Sequence, residues 1–498
     1  MSDQFTSPAR PRSWRRLVAG GALVLAMGAG FAGGRATLRA TPSVAPASSS
    51  AAVEVRTDST ALPSYSAIVD RVAPAVATVR VERPASAVFA DVPDMFRPFF
   101  GPSARQRGPQ PRESGLGSGV IIREDGYILT NHHVIDGADR IRVDLADGRT
   151  LDATLVGSDP PSDLAVLRVS ARGLPTVAFG DSDQVRVGDV VLAFGNPMGV
   201  GQTVTMGIVS AKGRATGVGD GNYEDFLQTD APINRGNSGG ALVDTGGRLV
   251  GINAQILSPS GGNIGLGFAI PAGMAHAVVD QLIDGGVVHR GRLGVTAQTI
   301  SADLAAGLGL TGTHGALVSD VEAGSPAASA GIKTGDVIQT LDGRPIADAN
   351  VLRNVVAASR PGTDVTIGLW REGRQQTVTA RLMERTNAVA GGRDRREGGD
   401  LPAENGLGMS VQPLTPDLAE QASVPPSTRG IIVMDVASGS VAAQAGVQPG
   451  DVITRANGHD VSTVAALKDA IGASQDRPTV LLVMREGATF FIALPARS

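Results

Sequence analysis

At 498 residues the chain is longer than one hydrophobic core supports, and at roughly 100–200 residues per domain it should divide into about three units. Its 42% hydrophobic and 18% charged content, with 65 Gly and only 3% aromatic residues, excludes a helical bundle and fits turn-rich units of short strands. A formal net charge of −4 gives no basic field for nucleic acid, and the absence of Cys excludes thiol catalysis, disulfides and cysteine-based zinc sites.

In chain order, Arg12, Arg15 and Arg16 precede an uncharged, Ala-, Gly-, Leu- and Val-rich stretch over residues 17–34. That arrangement predicts an export segment within residues 1–40, read either as a cleaved signal peptide or as an anchor holding the chain at the inner membrane. A Ser/Ala/Pro-rich linker follows over residues 41–64. Residues 65–275 alternate short β-branched runs with glycine-containing turns. Hairpins are predicted around Asp125-Gly126 and Asp147-Gly148, with further strands at 164–169, 190–194, 203–211, 241–243, 249–254 and 264–269. That many strands predicts a mainly β fold built as a pair of small barrels.

The C-terminal half contains a repeat: Asp320 to Gly343 and Asp435 to Gly458 share 13 of 24 positions at an offset of 115. Two copies of one α+β module are therefore predicted at 290–385 and 406–498, each with one late amphipathic helix. In the first copy that helix carries Leu352, Val355 and Val356, and in the second Val464, Leu467 and Ile471. The Gly-rich, charged segment 386–405 between them reads as a flexible linker that lets the modules move relative to one another.

Acyl transfer needs a hydroxyl nucleophile, an imidazole base, a carboxylate that orients the base, and backbone donors for the oxyanion. Gly236-Asn237-Ser238-Gly239-Gly240 offers a Ser in a tight turn, where the amides of Gly236 and Ser238 can converge on developing charge. His132 and His133 follow a predicted strand, and Asp163 opens the apolar run Leu164-Ala165-Val166-Leu167. The order His, Asp, Ser is that of the chymotrypsin arrangement. A metal site on the adjacent His pair is not expected, because neighbours on a strand point to opposite faces. No cofactor and no metal are expected.

The segments GSGVII, TNHHVI, SDLAVL, INRGNSGGALV and IGLGFAIP, followed by two PDZ-like repeats, resemble the HtrA (Deg-type) serine proteases over nearly all of the chain from Tyr65 onward. The resemblance implies a chymotrypsin-like double β-barrel with His133 as general base, Asp163 as its orienting partner and Ser238 as nucleophile. His133 rather than His132 is chosen because it keeps the family's His-Val pairing; His132 fills a place the family usually gives to Asn. The amides around Gly236, Asn237 and Ser238 would form the oxyanion hole. Ile264, Gly265 and Leu266, in the loop 257–267, would wall a short apolar pocket for small aliphatic residues.

The resemblance further implies that Leu293-Gly294-Val295 and Leu407-Gly408-Met409 receive a peptide C-terminus. The second of these lacks a neighbouring Arg like Arg292, which marks it as the candidate for a purely structural role. Phe89, Phe96, Phe99 and Phe100 lie in a loop that the resemblance makes regulatory, although packing beneath the barrel explains them equally. The implied protein is a periplasmic, ATP-independent endopeptidase acting on unfolded polypeptides, regulated by PDZ peptide binding and assembled as a trimer or larger homo-oligomer.

Two other readings compete. An α/β-hydrolase elbow needs a helix after the nucleophile, but Ala241-Leu242-Val243 leads through Thr245-Gly246-Gly247 into another apolar run. A holdase that binds unfolded chains through its PDZ grooves is compatible with proteolysis; a purely non-catalytic one would be expected to lack a triad residue.

Overall fold

The computed structural model describes residues 64–83, 113–196, 201–216, 223–258, 262–385, 408–474 and 477–496. The export segment, the linkers at 41–63 and 386–405, the Phe-bearing loop and Leu407 lie outside them. No described helix is long and apolar enough to cross a membrane.

After a short helix α1 (Ser66–Val72), six strands close the first barrel: β1 (Val76–Arg83), β2 (Glu113–Ile121), β3 (Tyr127–Thr130), β4 (Arg140–Asp144), β5 (Thr150–Asp159) and β6 (Leu164–Val169). Their order around the barrel is β1-β2-β3-β6-β5-β4. The second barrel comprises β7 (Val190–Gly195), β8 (Thr203–Arg214), β9 (Phe226–Thr229), β10 (Ala241–Asp244), β11 (Leu249–Ile256) and β12 (Gly267–Pro271), ordered β10-β11-β12-β9-β8-β7. Every strand pairing within both barrels is antiparallel.

The first barrel's core of Val79, Ile121, Ile128, Leu164 and Leu167 continues into Phe194, Ile252 and Ile270 of the second, so one apolar layer joins the two. Fully burying a side chain of this size contributes about 1.5–3 kcal/mol, which is what seats the barrels against each other and leaves a fixed seam between them. A helix, α3 (Ala272–Gly285), runs past position 275, the predicted end of the unit. Its Ala275, Val278, Val279 and Leu282 belong to that same core. The barrel unit therefore continues past the predicted end, because the apolar stripe of this helix packs into its core.

The two C-terminal modules repeat one sheet. In the first, strands run from Gly291–Arg292 to Met383–Glu384, with Val295–Thr299 on the edge beside the helix Ala349–Ala358. In the second, Met409–Pro413 is the edge strand and Val464–Gly472 the helix. Both helices begin on a side-chain cap, Asp348 accepting from the amide of Val351 at 2.8 Å and Thr463 from that of Ala466 at 3.2 Å. Each sheet also buries one aspartate beneath an arginine: Asp336 with Arg371, and Asp451 with Arg485.

The expectation that the modules move independently is not met by the way they pack. Ile300, Leu304, Leu317 and Val337 of the first share a cluster with Val480, Phe491 and Ala493 of the second. Gln298 bonds both backbone groups of Phe491, donating to its carbonyl at 3.1 Å and accepting from its amide at 2.7 Å. Leu317 and Val337 point out of the first module's sheet on the face opposite its own core, and the second module covers them.

Candidate active site

The sharp end of β3 carries Asn131, whose extended backbone hands the chain into a single helical turn, α2 (His132–Ile135). The His pair thus lies on a helical turn rather than a strand, which corrects the geometry used against a metal site. Among the described residues no group of three or more His, Asp or Glu is arranged to hold a metal ion.

Asp163 ends a 3₁₀ turn, Pro160–Ser162, in the left-handed conformation at φ 55° and ψ 41°. A non-glycine residue stays in that region only where its surroundings hold it there, and here four bonds do so. Asp163 Oδ2 lies 2.8 Å from His133 Nδ1, and Oδ1 accepts the His133 amide at 2.9 Å. The Asp163 carbonyl accepts from the His132 amide at 3.1 Å and from Asn131 Nδ2 at 2.9 Å. One residue thus fixes both the ring of His133 and the backbone that carries it. His132, by contrast, has a buried Nδ1 without a partner among the described residues, and its Nε2 is 3.7 Å from Asp136.

Ser238 is 5% exposed and sits in the loop between β9 and β10. A Cβ placed on Gly117 would lie 2.6 Å from Val134 and 3.3 Å from the Ser238 carbonyl, so α2 and the Ser238 loop converge on the same point of β2. In this state the Ser238 hydroxyl donates to the carbonyl of Ala254 at 3.0 Å. Gly239, at φ 82°, could not carry a side chain, because its Cβ would drive into the Ser118 carbonyl and the Thr130 hydroxyl.

The amides of this loop separate the three residues assigned to the oxyanion hole. Asn237 donates its N–H to the carbonyl of Asn234 at 3.0 Å, which removes it as a donor because the tight turn at Gly236 (φ 94°) folds it back onto the chain. The amides of Gly236 and Ser238 have no acceptor among the described residues.

Of the pocket residues, Leu266 packs against the barrel core and its carbonyl accepts from the Leu257 amide at 3.1 Å. Ile264 is 56% exposed, so it does not form an enclosed wall; Gly265 (φ 88°) turns the chain between them. The buried side chain beside this loop is Ile233, 1% exposed, whose carbonyl accepts from Asn263 Nδ2 at 3.3 Å. Sequence reasoning missed it, although its place five residues before Ser238 was available as a signal.

In the PDZ-like turns, Gly294 (φ 80°) and Gly408 (φ 72°) occupy equivalent places. A Cβ on either would collide with the side chain of Ser325 or Ser440 respectively. Arg292, the residue that distinguished the two turns in the sequence, is ion-paired with Glu322.

The first module is fastened close to the candidate triad. Arg290 Nη1 donates to Asp159 Oδ1 at 2.6 Å in a buried, two-pronged ion pair, and its guanidinium stacks 4.6 Å above the Tyr223 ring. Asp159 also accepts from the Ser162 amide at 3.1 Å, capping the turn that presents Asp163. Asn350 and Asn354, one turn apart on the helix Ala349–Ala358, both donate to the Glu224 carbonyl, at 2.6 and 2.8 Å. Beside that contact, burial pushes the Asp225 carboxyl above its ordinary value, with Asp183 and Asp348 adding to the rise and Arg344 and Lys212 opposing it.

Comparison with known proteins follows the same division. Residues 117–252 match the trypsin-like peptidase domain, and residues 291–382 and 432–485 each match a PDZ domain. A probable periplasmic serine endoprotease DegP-like from Chlamydia trachomatis is 42% identical over 409 residues, covering 80% of this chain and 79% of that one. The periplasmic pH-dependent serine endoprotease DegQ of Escherichia coli is 43% identical, over 84% of this chain and 88% of its own. Periplasmic serine endoprotease DegP of the same organism is 38% identical, over 90% and 95%. Among solved structures, the HtrA-type protease AlgW with a decapeptide is 48% identical and covers 66% of this chain and all of its own, with a TM-score of 0.53.

Proposed function

The chain belongs to the HtrA family of serine endoproteases, and from that premise we propose which of its residues carry the chemistry and where it works. Ser238 is the nucleophile, His133 the base that takes its proton, and Asp163 the carboxylate that orients the ring and stabilises the imidazolium. The Ser238 hydroxyl releases the Ala254 carbonyl as the proton passes to His133. The amides of Gly236 and Ser238 receive the oxyanion; as it collapses the scissile C–N bond breaks and the His133 imidazolium gives its proton to the leaving amine, and the acyl-enzyme on Ser238 is then hydrolysed by water with the neutral His133 again as base.

The observation that carries this assignment is the grip of Asp163 on both the Nδ1 and the amide of His133, at 2.8 and 2.9 Å. In this assignment Nε2, the other ring nitrogen, is the one that exchanges protons with Ser238. In this reading the substrates are unfolded polypeptides, cut after small aliphatic residues by a pocket in which Ile233 and Leu266 supply the apolar wall. The compartment is the periplasm, supported by the names of the relatives; the N-terminal segment exports the chain or holds it at the inner membrane. Peptide C-termini add as a strand beside Val295–Thr299, and the working form is a homotrimer or larger.

Proteolysis rather than a holdase role alone is favoured because the bond between His133 and Asp163 serves no purpose in a passive binder. Ser238→Ala should reduce peptide hydrolysis on the order of a million-fold without unfolding the protein. A fluorophosphonate probe should label Ser238 in the unaltered chain, and a label mapped to any other residue would overturn the assignment.

A further inference from the structure

The loop that bears Ser238 belongs to the second barrel, yet much of what fixes its backbone comes from one residue of the first. Ser118, on β2 and fully buried, reaches both sides of Asn237. Its amide donates to the Ser238 carbonyl at 2.8 Å, and its hydroxyl donates to the Gly236 carbonyl at 2.6 Å. The same hydroxyl accepts from the Asn196 amide at 2.9 Å, and Asn196 in turn donates through Nδ2 to Thr78 at 2.6 Å. The carbonyl of Ser118 accepts from the Thr130 hydroxyl at 2.7 Å, so the residue cannot shift without disturbing β3 as well.

The peptide planes of this loop can be followed one by one. The plane joining Gly236 to Asn237 is held by Ser118 Oγ at its carbonyl and by the Asn234 carbonyl at its N–H. The plane joining Ser238 to Gly239 is held by the Ser118 amide at its carbonyl and by the Asn253 carbonyl, 2.8 Å away, at its N–H. The plane between them has its carbonyl held by the Gly240 amide at 2.9 Å. Its N–H, that of Ser238, is the single polar group of these three planes without a partner among the described residues. Buried backbone groups are almost always paired, so a group left open at the centre of a loop pinned on both sides is a preformed donor. A donor that is already aimed costs no reorganisation when charge develops.

We propose that Ser118 is a positioning residue for the hydrolytic reaction: by holding the carbonyls of Gly236 and Ser238, it aims the Ser238 amide at the oxyanion. It touches neither substrate nor reacting atoms. Its loss would leave the buried Gly236 carbonyl and the half-buried Asn196 amide without this partner, and the Gly236 carbonyl could find another only by turning its peptide plane. The inference rests on Ser238 being the nucleophile.

The test uses the full-length chain with Ser118→Ala, kinetics per site titrated by fluorophosphonate, and two inhibitors. One is a peptide aldehyde, whose adduct places a negative oxygen where the oxyanion forms; the other is an uncleavable reduced-amide peptide that binds as substrate does. Removing an oxyanion donor outright costs about 10²–10³ in kcat, so misaiming one is expected to lower kcat about ten- to a hundredfold, with KM within about twofold. Affinity for the aldehyde should fall with kcat/KM while affinity for the reduced amide stays. Should S118A fail to fold, S118C fills the site with a weaker donor and takes the same measurements. An unchanged kcat, or equal weakening of both inhibitors, overturns the proposal. Adduct mapping separates this from the premise: a label on Ser238 with unaltered S118A turnover removes only Ser118, whereas a label elsewhere removes the nucleophile.

Discussion

The two PDZ domains carry nearly the same signature, bury the same Asp–Arg pair, and turn on equivalent glycines, yet they meet the rest of the chain in different ways. The first is clamped to the peptidase domain by Arg290 on Asp159, by Asn350 and Asn354 on Glu224, and by Arg385 on Tyr223. The second rests on the outer face of the first, through Gln298 and an apolar cluster around Phe491. Equal modules therefore have unequal access to the site: Asp159 is four residues from Asp163 and caps its turn, so displacement of the first module is felt where the His133 partner is held.

Cutting one buried ion pair at each module separates their roles. Arg290→Ala leaves Asp159, with its side chain only 7% exposed, as an unpaired buried charge. Stability should fall by about 3–5 kcal/mol, and turnover measured below the melting transition should fall with it, because the Asp163 turn loses the support of its cap. Arg485→Ala strands a fully buried aspartate, Asp451, in the second module. It should melt that module early while leaving turnover within about twofold, as distant sites act independently. Equal loss of turnover in the two variants would mean that the two modules bear on the site alike.

A smaller effect sharpens the contact between the modules. Phe491 packs, partly buried, against the cluster that holds Leu304 and Leu317, so Phe491→Ala should cost about 1–2 kcal/mol, a fraction of the 3–5 expected for a fully buried ring. Hydrogen exchange should then rise at Gln298 and Leu317 but not at Asn350. Protection unchanged at Leu317 would mean that the second module does not cover that face in solution.

The smallest expected effect concerns Asp225, whose carboxyl burial raises in the folded state. A carboxyl with a folded pKa above its unfolded one binds its proton more tightly when folded, so its ionisation weakens the fold as pH rises past the unfolded value. Asp225→Asn should therefore melt slightly higher than the unaltered chain near neutral pH. The gap should close as the medium is acidified and Asp225 takes up its proton. A gap that widens in acid would reverse the sign of this contribution.

Much of the molecule was legible in advance. The alternation of Ile141, Val143 and Leu145 with polar neighbours appears as a strand over Arg140–Asp144, and Leu352 and Val356 mark the buried stripe of a helix. Local periodicity sufficed there because each element buries one face and the pattern records which. The boundary at 275 was missed because the stripe of α3 packs on β5, β6, β11 and β12 together, a surface assembled from distant parts of the chain that no pattern within the helix records. Asn237 was counted among the donors because a motif names residues, whereas the direction of each peptide plane is set by what its carbonyl and N–H meet.

Short-range pattern and residue chemistry were enough to divide the chain into a β peptidase domain followed by two repeated modules, and to nominate Ser238, His133 and Asp163 as the proposed triad. Long-range packing was needed to bring Asp159 to Arg290 across 131 positions and Ser118 to Gly236 across 118. It alone also decided which amides remain open and which module bears on the site. Those outcomes depend on how buried polar groups find partners once the barrels and modules have packed, and no local pattern encodes a partner that distant.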